Sequence, residues 1–168
     1  MRLIPACLSI ASLGCIFMTD GCRTAAPAPK AGVPQSVLLV CEHGNVKSLI
    51  AASLFNRMAS SRGLPFRAEA RGLNPDAGIP APIAAALGAE GIDVSHFEPR
   101  ALSHEDAVNA SRVVAIGIDL SSFAADAQAP IQLWSDVPPA SVDYASSRAA
   151  LLRHLEALLQ ELQAQPHK

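Results

Sequence analysis

Short, almost wholly apolar runs alternate along this chain with longer stretches whose apolar residues recur every three or four positions. The first run, Ser36-Val37-Leu38-Leu39-Val40-Cys41, is β-branched and lacks in/out alternation, which predicts a strand covered on both faces. From Ser48 to Ser61 the apolar residues Leu49, Ile50, Leu54 and Met58 return at helical spacing and predict an amphipathic helix. Pro80 to Gly91 reads as a short helix, Arg112 to Ile118 and Ile131 to Trp134 as further apolar strands, and Asp143 to Leu162 as a closing helix with Tyr144 near its start. Apolar strands separated by helices predict a parallel sheet buried on both faces, with ligands at the carboxyl ends of its strands.

One such end carries candidate chemistry. The segment Cys41-Glu42-His43-Gly44-Asn45-Val46-Lys47-Ser48 delivers a thiol from a strand into a tight loop that opens a helix at once. Loop amides and the positive end of the helix dipole then converge beside the sulfur, where an oxyanion binds and a thiolate is stabilised. Gly44 and Asn45 are the residue types that most readily take the positive φ values such a loop needs. A strand-end cysteine taken alone is more often a small buried hydrophobe. The spacing of cysteine, five residues, the cation Lys47 and then Ser48 points instead to a nucleophile. Its oxyanion cradle would be built from Glu42, His43, Gly44, Asn45, Val46 and Lys47.

This loop resembles that of the low-molecular-weight protein tyrosine phosphatases and their arsenate reductase relatives, which reads cysteine, five residues, arginine, serine. Cys41 and Ser48 match it, and Lys47 stands where the family has arginine. The resemblance runs element by element from Ser36 to Leu162. On it, Phe66 to Gly72 is the second strand with the family's strand-end glycine, and Gly91 to Ser103 is a connection much like the family's. The implied fold is α/β, a three-layer sandwich around a four-stranded parallel sheet, in the order β-α-β-α-α-β-β-α.

The resemblance implies a two-step reaction in which the Cys41 thiolate attacks phosphorus in line and water hydrolyses the cysteinyl-phosphate. Loop amides and a cation would hold the equatorial oxygens, Ser48 would hydrogen-bond the sulfur, and Asn45 would hold the loop's shape. It also implies a general acid, normally an aspartate in an Asp-Pro pair late in the chain. Counting four residues on from Trp134 reaches Pro138-Pro139, so the aspartate is missing from its register; Asp136, two residues earlier, is the stand-in if the loop is displaced and otherwise a turn residue. Arg71, beside Gly72 at a strand end, is a candidate second cation for the cradle and otherwise a solvent-exposed arginine. An ammonium is a point charge on a mobile stem, whereas a guanidinium grips two oxygens in one plane. Lys47 is therefore expected to preserve oxyanion binding better than transition-state fit.

Before Ser36 the pattern changes. Met1 to Cys22 has a single Arg2, an apolar stretch from Leu3 to Met18 and a small, polar end. About 16 apolar residues fall short of the roughly 20 of a spanning helix, and the anatomy is that of an export signal. Thr19-Asp20-Gly21-Cys22 resembles a bacterial lipoprotein cleavage site, with Cys22 as the lipidated residue. The expectation is a signal peptide over 1–22, an Ala/Pro-rich tether over 23–35, a phosphatase-like domain over 36–168, and a periplasmic or membrane-anchored location. Cys7, Cys15 and Cys22 lie in the leader, which leaves Cys41 alone in the domain. Thioredoxin-coupled arsenate reductases pass oxidation through further cysteines, so only a reductase drawing on an external small thiol fits.

Composition narrows the classes further. A net charge of −2 with no basic cluster or aromatic platform gives no footprint for nucleic acid. His43, His96, His104, His154 and His167 are scattered without metal-ligand spacing, and neither a metal nor another cofactor is expected. Three functions remain: a phosphatase acting on phosphotyrosine or small phosphoesters, a non-catalytic binder of an oxyanion or phosphoprotein, and an arsenate reductase with an external thiol.

Overall fold

The structure, a computed structural model, describes residues 34–124 and 130–164. The expected leader, with Cys22, and the tether as far as Val33 lie outside the described residues. The elements are β1 (Gln35–Cys41), α1 (Lys47–Ser61), β2 (Phe66–Gly72), α2 (Ala81–Ala89), α3 (His104–Asn109), β3 (Arg112–Ile116), α4 (Ser121–Ala124), β4 (Ile131–Trp134) and α5 (Tyr144–Ala164).

The four strands form one parallel sheet in the order β2-β1-β3-β4. The chain leaves β1 for β2 on one side and returns to β3 on the other. The carboxyl end of β1 is thus a topological switch point, where a crevice opens between diverging connections. Alternation along β1 divides the core between two layers. Val37, Leu39 and Cys41 pack with α1 and α5 through Ile50, Leu54, Phe55, Leu151, Leu155 and Leu158. Leu38 and Val40 pack on the other face with Val113, Ala115, Leu102, Ala110 and Leu120. This double coverage is why the strands read as apolar runs, and it confirms the three-layer α/β sandwich.

Several boundaries differ from expectation: α1 begins at Lys47, one residue early, and α2 covers Ala81–Ala89, inside the expected Pro80 to Gly91. β1 begins at Gln35, one residue inside the expected tether, because the Gln35 N–H reaches the Pro65 carbonyl at 2.8 Å. β3 ends at Ile116, two residues early: Gly117 takes φ +66° and its N–H turns to the Trp134 carbonyl at 2.9 Å. The short α4, placed by the carboxylate of Asp119 bonding the Ser121 N–H at 2.8 Å, separates β3 from β4, where direct succession was expected. α5 starts at Tyr144 and runs on to Ala164.

Glu90, just beyond α2, ties the helical layer together. It accepts from the Arg148 Nε and Nη2 groups at 2.7 Å each, from Tyr144 Oη at 2.7 Å and from Arg57 Nη2 at 3.2 Å. The Arg148 hydrogen bonds dominate in pulling its carboxyl down to about 2. Burial, reinforced by the bond to Glu90, pushes the Tyr144 hydroxyl up to about 12.

Candidate active site

Cys41 ends β1 nearly buried, and its Sγ lies 3.1 Å from Ser48 Oγ in the first turn of α1. Between them the chain makes one tight loop. The Cys41, Glu42 and His43 carbonyls accept from the N–H groups of Leu73 (3.2 Å), Asn74 (2.9 Å) and Asp76 (3.3 Å) on the connection after β2. Among the described residues no peptide bond is cis, so the N–H on the far side of each planar unit points away from that connection. Among the described residues, the N–H groups of Glu42, His43, Gly44, Asn45 and Val46 donate to no protein acceptor. Val46 caps α1 without any side-chain hydrogen bond. A run of free amides at a helix start beside a thiol is an arrangement suited to an anion.

Two glycines permit it. Gly44 has φ +69°, and a Cβ there would stand 2.8 Å from the Gly72 N. A Cβ on Gly72 would stand 2.7 Å from the Gly44 N. Loop and strand end meet backbone to backbone, which only the absence of both side chains allows.

Side chains brace the same contact. Asn45, 1% exposed, donates from Nδ2 to Asp76 Oδ2 at 2.9 Å and to the Gly78 carbonyl at 2.7 Å. Asn74 Nδ2 donates to Glu42 Oε1 at 2.7 Å. His43 Nδ1 lies 3.4 Å from the Asn74 carbonyl and 3.5 Å from Asp76 Oδ1. Residues 73–78 therefore clasp the loop, a role that sequence reading missed; the turn-forming run Asn74-Pro75-Asp76-Ala77-Gly78 directly after a strand end was the available signal.

Lys47 is half-buried, and a Cβ on Gly117 would stand 2.8 Å from its Nζ. The ammonium thus rests against the backbone at the end of β3 and has no hydrogen bond or ion pair among the described residues. Beside the loop opens an apolar groove of about 280 Å³, lined by Val46, Pro80, Pro82, Val142 and Tyr144.

One expected site residue, Arg71, is not brought to this cradle, and a second, Asp136, is engaged by α5. Arg71 sits opposite Val40 in the register, on the face away from Cys41. It is spent there on Asp106, through Nε at 3.1 Å and Nη2 at 3.0 Å, and on Glu69. Burial pulls its guanidinium down, but these partners together hold it above its ordinary value. With 6% exposure it is no solvent-facing arginine either. Asp136 bonds His154 Nε2 of α5 at 2.6 Å, and that bond is the first cause holding its carboxyl below the usual range. The His154 ring lies flat on Trp134, with centroids 4.7 Å apart and planes 13° apart. Trp134 is a core residue, and Asp136 is turned toward α5. Among the described residues no three His, Cys, Asp or Glu side chains converge on a metal position.

No curated protein matches the chain. Solved structures share its fold. YfkJ from Bacillus subtilis is 21% identical, with TM-score 0.69, covering 81% of this chain and 99% of its own. A low molecular weight protein tyrosine phosphatase from T. tengcongensis is 24% identical, with TM-score 0.61, covering 76% and 99%. A thioredoxin-dependent arsenate reductase from Corynebacterium glutamicum is 18% identical, with TM-score 0.63, covering 79% and 64%. The family model for low molecular weight phosphotyrosine protein phosphatase matches residues 36–127, more than half of the chain and all of the loop and its clasp, and the chain belongs to that family.

Proposed function

We propose that the protein is a cysteine-dependent phosphatase that hydrolyses phosphotyrosine or small phosphoesters through a cysteinyl-phosphate. The observation that carries this reading is the set of free amides from Glu42 to Val46 around a thiol held 3.1 Å from the Ser48 hydroxyl. Cys41 is the nucleophile, and Ser48 donates to the sulfur as thiolate and as leaving group. The loop amides, with Lys47 as the cation, hold the equatorial oxygens as charge builds on them. Asn45 fixes the loop through Asp76 and Gly78. A phosphatase assay of the full chain beside Cys41→Ser tests it: hydrolysis that disappears in the variant supports the phosphatase, and equal rates in both defeat it.

A second reading is a non-catalytic binder of oxyanions or phosphoproteins. What favours it is that Pro138 stands where the family's acid is expected, while the stand-in Asp136 is engaged by His154. Phosphate binding without Cys41-dependent turnover would decide for the binder. An arsenate reductase with an external small thiol uses the same cradle and would show thiol-dependent arsenate reduction. From the leader's sequence we further propose export, with Cys22 as a lipid anchor; mass spectrometry of the mature N-terminus would show a lipidated Cys22, and an intact Met1 would refute both.

A further inference from the structure

We propose that His43 donates the proton to the departing oxygen, with Asp76 as its positioning residue. This deepens the phosphatase reading and rests on it. Displacing an alkoxide or phenoxide from phosphorus needs a proton at the leaving oxygen, and the aspartate expected to supply it is bonded to His154. His43 belongs to the cradle loop, two residues after the nucleophile, and its side chain is more than half exposed.

Its orientation is set by two acceptors. Nδ1 faces the Asn74 carbonyl at 3.4 Å and Asp76 Oδ1 at 3.5 Å, and since neither can donate, Nδ1 carries the hydrogen. Nε2 is then the nitrogen that exchanges a proton, and no described residue bonds it. A carboxylate on one imidazole nitrogen with the other left free is the arrangement that fixes a tautomer for acid–base work. Asp76 is itself anchored to the loop: Oδ2 takes the Asn45 amide at 2.9 Å and its N–H donates to the His43 carbonyl at 3.3 Å. The other charged group on that side, Glu42, is occupied by Asn74 Nδ2.

The steps balance. As the Cys41 thiolate forms the S–P bond and the P–O bond to the leaving group breaks, the Nε2 proton of the imidazolium passes to that oxygen. The neutral imidazole then takes a proton from the water that attacks phosphorus. The S–P bond breaks, phosphate leaves, and thiolate and imidazolium are restored.

The full chain is assayed on phenyl phosphate, a poor leaving group, and p-nitrophenyl phosphate, a good one. His43→Gln should cost about 10² or more in kcat on the phenyl ester and much less on the nitrophenyl ester. Asp76→Asn should show the same leaving-group dependence with a smaller loss. Because a variant could also distort the loop, His43→Ala is read with added imidazole, which should restore the slow ester's rate. Equal losses on both esters, or failure of imidazole to rescue, overturns the proposal while Cys41-dependent hydrolysis by wild type leaves the phosphatase standing. Absence of hydrolysis of either ester by wild type overturns both.

Discussion

The contact between Gly44 and Gly72 makes the cradle depend on a residue outside it, and Gly72→Ala isolates that dependence. Gly72 does not have a positive φ, so an alanine there carries no backbone penalty. Its methyl would nonetheless lie 2.7 Å from the Gly44 N and 2.8 Å from the His43 carbonyl carbon. Both are backbone atoms, so relief requires moving the loop or the end of β2. Overpacking of this kind costs about 1–3 kcal/mol. Each kcal/mol moves Tm by about 4–8 °C in domains of 60–100 residues and about 2–4 °C in domains of 150–250, so a fall of roughly 3–15 °C is expected. Gly88→Ala, inside α2 with nothing within 4 Å of its Cβ, is the control and should stabilise by about 0.5–1 kcal/mol through helix propensity. Gly44→Ala adds left-handed strain of about 1–2 kcal/mol to the same clash, yet the double variant should cost less than the sum, since the first methyl opens the gap the second needs. Calorimetry reads stability, and phosphate protection of Cys41 against iodoacetamide reads the cradle. Gly72→Ala with unchanged Tm and full protection would refute the reasoning.

Further outcomes follow from other contacts. Lys47→Arg should raise kcat if the cradle is a phosphatase limited by its cation, about tenfold for each 1.4 kcal/mol of added transition-state binding; changed phosphate affinity without turnover would favour the binder. Asp136→Asn should leave the rates on both phenyl esters near wild type, because its carboxylate serves His154; a loss confined to the phenyl ester would return the acid role to Asp136. Glu90 has its folded value, about 2, below its ordinary 4.5, so its clamp stabilises fully above pH 4.5 and loses that contribution as pH falls toward 2. Glu90→Gln should therefore flatten stability against pH in that window and, by leaving Arg148 and Arg57 without a carboxylate, cost about 1–3 kcal/mol near neutrality; an unchanged acid limb in calorimetry would contradict this.

Local patterns carried most of the fold. The apolar run 37–40 and the periodic 48–61 segment become β1 and α1 because their residues are buried as their spacing dictates, and β2 and β4 have the bounds the sequence suggested. The carboxyl end of β3 and the presence of α4 were not legible, since they turn on Gly117's backbone conformation and on Asp119 capping a four-residue helix. Within the site, Cys41, Gly44, Asn45, Lys47 and Ser48 were readable because one strand-loop-helix segment holds them together. Arg71 failed because strand-end position predicts height in the sheet but not face: the register places it beside Val40, where Asp106 from α3 claims it. That partner is 35 residues away in sequence, and no local pattern encodes the pairing.

Removing Arg71 from the cradle changes how the site must handle charge. On the proposed function a bound oxyanion and an attacking thiolate would both be negative, and Glu42 and Asp76 stand in the loop and its clasp. Lys47 has no carboxylate partner among the described residues, and His43, beside Asp76, is the loop's other cationic group when it carries its proton. Two cations do not neutralise that set, so on this reading binding also draws on the amides, whose dipoles are already oriented by carbonyls tied to residues 73–76. Preorganised dipoles stabilise developing charge without rearrangement at the moment of reaction. On the proposed function the clasp after β2 therefore belongs to the chemistry: whatever loosens residues 73–78 should weaken the cradle even with Cys41, Lys47 and Ser48 untouched.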